Sequence, residues 1–266
     1  MDSGNIAVVL VHGWNSHPGI WNRLVPRLDA EGIIHRQYDH TALAGSTVPA
    51  IAANLGEYLH EVSQSFGDRK IDIVCHSVGT CIVRYLLEVI DGKSRSFRVR
   101  QLIGIGPTNS GSALAELFSH PEFGPEIIDK LTGVFVPRGF DPIADPIVQD
   151  VRPKSRVMAE LRAAGIRKDI RYRVLVTANP AGIPGFFPLF SGETTDLTHD
   201  GHRQMTRHGD GIVPNRESEL PGISLDILSA GDGEGADLPS PDQYCHISLP
   251  RNPVVIDRIM EYLREP

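Results

Sequence analysis

Residues 75–79 read Cys75-His76-Ser77-Val78-Gly79, and the pattern on either side of them decides how this stretch folds. An apolar run at 71–74 predicts a buried strand before it, and helical spacing from Thr80 to Ile90 predicts a helix after it. A serine in a tight turn of small residues between a strand and a helix is typical of a nucleophile elbow. Gly79 allows the helix and strand to pack closely, whereas Cys75 occupies the position that usually holds the first glycine of the motif.

Composition predicts a single globular domain spanning residues 1–266. Hydrophobic residues make up 41% of the chain and charged residues 22%, which is ordinary for a folded domain of this length. The net charge is −7, from 26 basic and 33 acidic side chains. Nucleic-acid-binding proteins usually have an excess of clustered basic residues, so we expect no nucleic-acid partner.

The cellular location is predicted from three features of the sequence. No stretch reaches the roughly 18 apolar residues that span a bilayer, so we expect no transmembrane segment. Residues 1–5 carry neither a basic region nor a cleavage site, so we expect no signal peptide. The three cysteines, Cys75, Cys81 and Cys245, cannot all pair within one chain, which favours a reducing cytoplasm. A mature secreted form whose leader has been removed is the alternative.

The alternation of strands and helices predicts an α/β fold with an approximately six-stranded, mostly parallel sheet and helices on both faces. The predicted strands are 6–11, 33–38, 71–74, 99–105, 172–177 and 223–228. The predicted helices of this alternation are 21–30, 47–66, 80–90 and 254–263.

Two long stretches interrupt the alternation. The segment 107–164 follows the strand at 99–105 and is rich in proline and glycine, so we predict that it is a lid or cap insertion. Within it we expect short helices near 111–119 and 125–131 and a firmer one near 153–164. The second stretch, 178–221, has no clear period.

A serine nucleophile needs a base within hydrogen-bond reach and a carboxylate that orients the base. In this architecture the chain order is serine, acid, histidine. His246 is the single histidine after the last predicted strand, so it is the predicted base for Ser77. Of the carboxylates in the stretch before that strand we consider four, and we favour Asp210 because Gly209 and Gly211 flank it and allow a tight turn. The other three are Glu193, Asp196 and Asp200.

An oxyanion formed by attack on a carbonyl needs two preset hydrogen-bond donors. We expect one to be the backbone N–H of Val78 and the other that of Trp14, in the turn after the first strand. We expect His12, Gly13 and His76, which lie next to these donors and to the nucleophile, to contact substrate.

Four segments together resemble α/β-hydrolases of the lipase and esterase type, especially small bacterial and archaeal triacylglycerol lipases. They are Val9–Gly13, Ile73–Gly79, Ile105–Ser112 and Gly209–Pro214. The resemblance implies an α/β-hydrolase fold and hydrolysis of carboxylic esters through an acyl-enzyme, without a cofactor. It also implies that Ser77 attacks, His246 moves the proton and Asp210 holds the imidazolium.

Two further groups of residues have a functional and a structural interpretation. Phe186 and Phe187 belong to an apolar cluster at 183–190 that either binds acyl chains or a lipid surface, or packs on the core. Several histidines and aspartates at 196–208 match no strong zinc pattern, so we predict no metal; they are Asp196, His199, Asp200, His202 and His208.

Three functions remain open at this point. The first is a serine esterase or lipase acting on a small-molecule or lipid ester, with transient lipid-surface contact. The second is another acyl-transfer enzyme on the same fold, such as a thioesterase, an amidase or an acyltransferase, because fold does not fix substrate. The third is a non-catalytic binding protein. We find neither a P-loop nor a dinucleotide-binding fingerprint, and nothing in the sequence predicts the oligomeric state.

Overall fold

The centre of the fold is a six-stranded sheet in which every strand pairing is parallel. The structure is a computed structural model that describes residues 6–67, 69–198, 200–229 and 239–266. The strands of this sheet are β1 (Ile6–Val11), β2 (Ile34–Tyr38), β3 (Lys70–His76), β4 (Val99–Ile105), β5 (Arg171–Ala178) and β8 (Leu225–Ser229). The strand order is β2-β1-β3-β4-β5-β8. The six predicted strands are confirmed to within two residues at each end.

Burial explains which strands the sequence identifies most clearly. All six residues of β1 are buried, and the strand reads as a continuous apolar run because both faces of the central sheet are covered. β2 lies at the edge of the sheet and is mostly only partly buried or exposed, with three consecutive polar residues between Ile34 and Tyr38. Strand β3, which directly precedes Ser77, lies between β1 and β4, so its carboxyl end is at the middle of the sheet edge.

Helices cover both faces of the sheet, as predicted. The helices are α1 (Val25–Ala30), α2 (Val48–Phe66), α3 (Val78–Arg84), α4 (Ala113–Phe118), α5 (Gly124–Leu131), α6 (Pro146–Asp150), α7 (Arg156–Ala164), α8 (Asn215–Ser218) and α9 (Pro253–Arg264). One hydrophobic core contains α2 and α3, and the other contains α1 and α9. Among the described residues, no helix combines the length and the apolar character needed to cross a membrane.

Two predicted helices differ from the structure. The helix expected at 21–30 divides into a 3₁₀ turn, Pro18–Trp21, and α1, in which Pro26 occupies the first turn, where a missing N–H costs little. The helix expected at 80–90 becomes π-helical at Tyr85–Ile90. There the buried guanidinium of Arg84 makes two 2.9 Å contacts with Glu88.

The segment between β4 and β5 contains four helices, α4 to α7. Three of them correspond to predicted helices, whereas α6 was not predicted. The expected helix at 153–164 begins three residues later, because Ser155 caps it with its hydroxyl 3.1 Å from the Met158 N–H. A hairpin of β6 (Thr194–Leu197) and β7 (Arg203–Thr206) was missed in the stretch 178–221.

Candidate active site

Ser77 lies on a tight turn directly after β3 and has a backbone φ of 56°, a left-handed conformation that is rare for a residue with a side chain. Two glycines make room for this turn. A Cβ on Gly13 would lie 2.9 Å from the Cβ of Ser77, and a Cβ on Gly79 would lie 2.5 Å from the carbonyl oxygen of His12. The elbow and the turn after β1 can therefore approach each other only without side chains at these positions.

Three distant side chains meet at this turn. The hydroxyl oxygen of Ser77 lies 2.9 Å from Nε2 of His246, and Nδ1 of His246 lies 2.7 Å from Oδ2 of Asp210. A carboxylate only accepts hydrogen bonds, so Nδ1 carries the proton and Nε2 is left to accept the hydrogen bond of the serine hydroxyl. The geometry permits a proton to pass from Ser77 to His246.

The carboxylate of Asp210 is fixed by its own loop. Oδ1 accepts hydrogen bonds from the backbone N–H groups of Ile212 at 3.1 Å and Val213 at 2.7 Å. The backbone carbonyl of Asp210 accepts the N–H of His246 at 2.8 Å. The segment Gly209–Pro214, which we call the acid loop, therefore holds both the backbone and the imidazole of His246, which is fully buried.

Gly106 provides the space in which the side chains of Asp210 and His246 meet. It follows β4 with a φ of +53°, and an added Cβ would lie 2.8 Å from Oδ2 of Asp210 and 3.1 Å from Nδ1 of His246. Sequence reasoning missed this residue. The available signal was a glycine directly after the strand beside the nucleophile.

The two predicted oxyanion donors belong to residues that line a cavity with Ser77. Both Trp14 and Val78 border it. The indole of Trp14 packs against three phenylalanines of the segment between β4 and β5, Phe118, Phe135 and Phe140. Its Nε1 donates a 2.9 Å hydrogen bond to Oδ2 of Asp145, whose other oxygen caps α6. The turn after β1 is thus tied to that segment.

The cavity beside Ser77 has a volume of about 30 Å³ and is mostly apolar. Most of its wall comes from the segment between β4 and β5, including Leu114, Ala115, Phe118, Phe135, Ile147 and Val151. The ring of Phe135 meets the ring of His246 edge-on, with centroids 5.9 Å apart. A larger cavity of about 810 Å³ lies between α4, α8 and the β6–β7 turn, and the described residues that line it include none of Ser77, Asp210 and His246.

The three residues that were predicted to contact substrate, His12, Gly13 and His76, lie outside the lining of the described cavity beside Ser77. His12 stacks on His40 with ring centroids 3.8 Å apart. Burial, and to a smaller extent the nearby His40, lowers the pKa of His12 to about 4. His76 and Gly13 contact His246 and Ser77 directly, whereas the described contacts of the His12 ring are with Gly13, Asp39 and His40.

The structure places Phe186 and Phe187 in the hydrophobic core, so their assignment to substrate binding is corrected. They are 0% and 2% exposed. The 3₁₀ turns that begin at Pro184 and Pro188 direct the cluster inward. A Cβ on Gly211 would lie 2.6 Å from the ring of Phe187, so these rings pack beneath the acid loop.

The alternative carboxylates have other partners. Glu193 pairs with Arg207 at 3.7 Å, and Asp196 makes several contacts of 2.5 to 2.8 Å with Arg216. Asp200 is exposed near His202. Within the described ranges, no group of three or more histidine, cysteine or acidic residues is arranged to hold a metal, and His199 lies outside those ranges.

Residues 4–180 match a protein family described as Domain of unknown function (DUF7379). The chain belongs to this family. The match covers the elbow, the turn after β1 and the segment between β4 and β5, whereas Asp210 and His246 lie beyond it. No curated protein matches this DUF7379 chain in sequence.

Solved structures show which fold the DUF7379 chain adopts. The mature lipase BlEst2 of Bacillus licheniformis is similar with a TM-score of 0.67 and 19% identity, over 97% of this chain and 91% of that one. The metagenomic carboxyl esterase MGS0156 has a TM-score of 0.60 and 18% identity, over 98% and 76%. Phospholipase PlaB of Legionella pneumophila has a TM-score of 0.59 and 17% identity, over 98% and 60%. The chain therefore has the α/β-hydrolase fold, as the sequence predicted.

Proposed function

We propose that this protein is a serine-dependent carboxylic ester hydrolase that acts through an acyl-enzyme. The observation that carries the proposal is the hydrogen-bonded chain from Ser77 through His246 to Asp210, with both contacts under 3 Å. The solved structures similar to this chain include proteins named lipase and carboxyl esterase, which is consistent with the proposal.

The residues act in two half-reactions. Ser77 Oγ attacks the ester carbonyl carbon while His246 Nε2 takes the hydroxyl proton, and Asp210 stabilises the resulting imidazolium. The negative charge that develops on the carbonyl oxygen is met by the backbone N–H groups of Trp14 and Val78. The carbon–oxygen bond to the alcohol then breaks, and the alcohol leaves with the proton from His246. In the second half-reaction His246 takes a proton from water, which attacks the acyl carbon. The bond to Ser77 Oγ then breaks, the serine regains its proton from His246, and the carboxylic acid is released.

The cavity supports an apolar acyl group on a small-molecule or lipid ester. No charged side chain is among the described residues that line it. A volume of about 30 Å³ has room for only one or two waters, so an acyl chain needs part of the wall to move. We therefore propose that 107–164 is a lid within a single domain spanning 1–266. Val134 and Ile143 in it are 49% and 67% exposed, which supports transient contact with a lipid surface.

The cysteines support a reducing compartment, and we propose the cytoplasm. Cys75, Cys81 and Cys245 are all buried and unpaired. Burial raises the pKa of all three thiols, so they are protonated and protected rather than poised for disulfide formation.

The test is release of p-nitrophenol from acyl esters of graded chain length by the wild-type protein and by Ser77→Ala. We expect the substitution to lower kcat by about 10⁴-fold or more and to abolish labelling by a fluorophosphonate. A wild-type protein that neither hydrolyses any ester nor accepts the label contradicts the proposal. Faster turnover of thioesters or amides than of matched oxygen esters would instead assign the same three residues to a different acyl-transfer reaction.

A further inference from the structure

His76, the residue before the nucleophile, contacts the loop that carries the base. Along β3 it shares a face with Val74, which packs into the core containing α9. Its Nε2 lies 3.0 Å from the carbonyl oxygen of His246, and the two rings are 4.6 Å apart between centroids. Because a carbonyl only accepts, Nε2 of His76 carries a proton and donates it to this bond.

The orientation of His246 depends on such contacts because it lies in a turn between two 3₁₀ segments, Pro241–Tyr244 and Leu249–Arg251. Its backbone N–H donates to the carbonyl of Asp210 at 2.8 Å, and its carbonyl accepts from His76 on the other side. The other described donor to that carbonyl, the Leu249 N–H, is 3.4 Å away, near the limit for a hydrogen bond. The His76 bond is therefore the shorter of the two described bonds to this carbonyl.

The surroundings of His76 keep it in a single protonation state. It is 6% exposed, and Nδ1 has no hydrogen-bond partner among the described residues. Burial lowers the pKa of His76 well below its usual 6.5, the charge of His246 lowers it further, and the hydrogen bond to the His246 carbonyl opposes this by a smaller amount. A neutral imidazole with its proton on Nε2 still donates to this carbonyl.

We propose that His76 is a positioning residue whose Nε2–H fixes the peptide of His246 and so keeps the imidazole aligned between Ser77 and Asp210. This role rests on the proposed esterase function. It differs from substrate contact because His76 touches the base and does not line the described cavity.

The kinetic test compares three variants. His76→Leu removes the donor, His76→Gln keeps an N–H donor, and His35→Leu is the matched control. His35 also bonds a backbone carbonyl, that of Ile33 at 3.2 Å, but it lies on the edge strand β2. We expect His76→Leu to lower kcat by about 10- to 100-fold with KM within about twofold, because misplaced catalytic groups slow chemistry without weakening binding. We expect His76→Gln to recover most of the loss and His35→Leu to match wild type.

Nuclear magnetic resonance of the wild-type protein provides a test that needs no variant. We expect nitrogen-15 shifts to show His76 as the neutral Nε2–H tautomer. We also expect a downfield proton on Nδ1 of His246 in wild type and His76→Gln, and its broadening or loss in His76→Leu. A His76 with its proton on Nδ1, a His76→Leu protein with wild-type kcat, or a His76→Gln protein as slow as His76→Leu would overturn the role. A wild-type protein without hydrolysis or label refutes the esterase function, while the resonances still report whether His76 holds His246.

Discussion

Adding one methyl group at Gly106 should separate the acid from the base. In Gly106→Ala the new Cβ would lie 2.8 Å from Oδ2 of Asp210, whereas an ordinary contact needs at least 3.4 Å. The carboxylate must therefore move by about 0.6 Å, out of its 2.7 Å contact with His246. Since a misplacement of 1 Å can cost about 10²-fold in rate, we expect kcat/KM to fall by about 10- to 100-fold.

The same change also strains the backbone, because Gly106 has a φ of +53°. An alanine there costs roughly 1–2 kcal/mol of folding free energy, independently of the contact with the acid. Gly165→Ala serves as the control that strains the backbone without contacting Asp210 or His246. Gly165 follows α7 with a φ of +67°, and an added Cβ there meets nothing within 4 Å.

The assay measures kcat/KM on a p-nitrophenyl ester and the melting temperature of both variants. We expect both variants to lose stability from backbone strain, with a loss of activity only in Gly106→Ala. If Gly106→Ala retains kcat/KM within about threefold of Gly165→Ala, the acid–base contact does not limit the reaction and the reasoning is wrong.

Three other predictions concern stability and specificity. Burial raises the pKa of Glu217 well above its usual 4.5, so above pH 4.5 the folded protein keeps a proton that the unfolded chain loses. The free energy of unfolding should therefore fall as the pH rises from the unfolded pKa to the folded pKa of Glu217. Urea titrations of Glu217→Gln should show a smaller fall. Arg84→Met leaves the buried Glu88 without its cation, although the Tyr172 hydroxyl still donates to it, and should lower the free energy of unfolding by about 3 kcal/mol; Arg84→Met combined with Glu88→Leu should recover part of this loss. Val151→Ala widens the cavity beside Ser77 and should move the preferred acyl chain to greater length; an unchanged chain-length profile would place the acyl group elsewhere.

The strands were predictable from the sequence because they depend on local pattern, and the three candidate site residues were chosen from their positions relative to those strands. A buried strand reads as an apolar run, and the order of Ser77, Asp210 and His246 follows from the strands that precede them. The flanking glycines selected Asp210 from four carboxylates, and the structure brings this one to His246.

Contacts between segments far apart in the sequence were not predictable in the same way. Nothing local to Gly106 or Asp145 shows that one leaves space for the acid and the other holds the indole of Trp14. Phe186 and Phe187 were misassigned because an apolar cluster has the same composition in a core as on a binding surface. The π-helical turn at Tyr85–Ile90 was missed because helical periodicity does not register a single widened turn.

Helix α9 ties the loop that carries His246 to the central strands. The carboxylate of Asp72 on β3 pairs with Arg100 at 2.5 Å, and Arg100 and Gln101 on β4 donate to backbone carbonyls at the end of α9. His76, at the end of β3, donates to the carbonyl of His246 in the loop before α9. Undocking of α9 should therefore loosen His246 as well, although none of the described contacts of Arg100 and Gln101 involves Ser77 or Asp210.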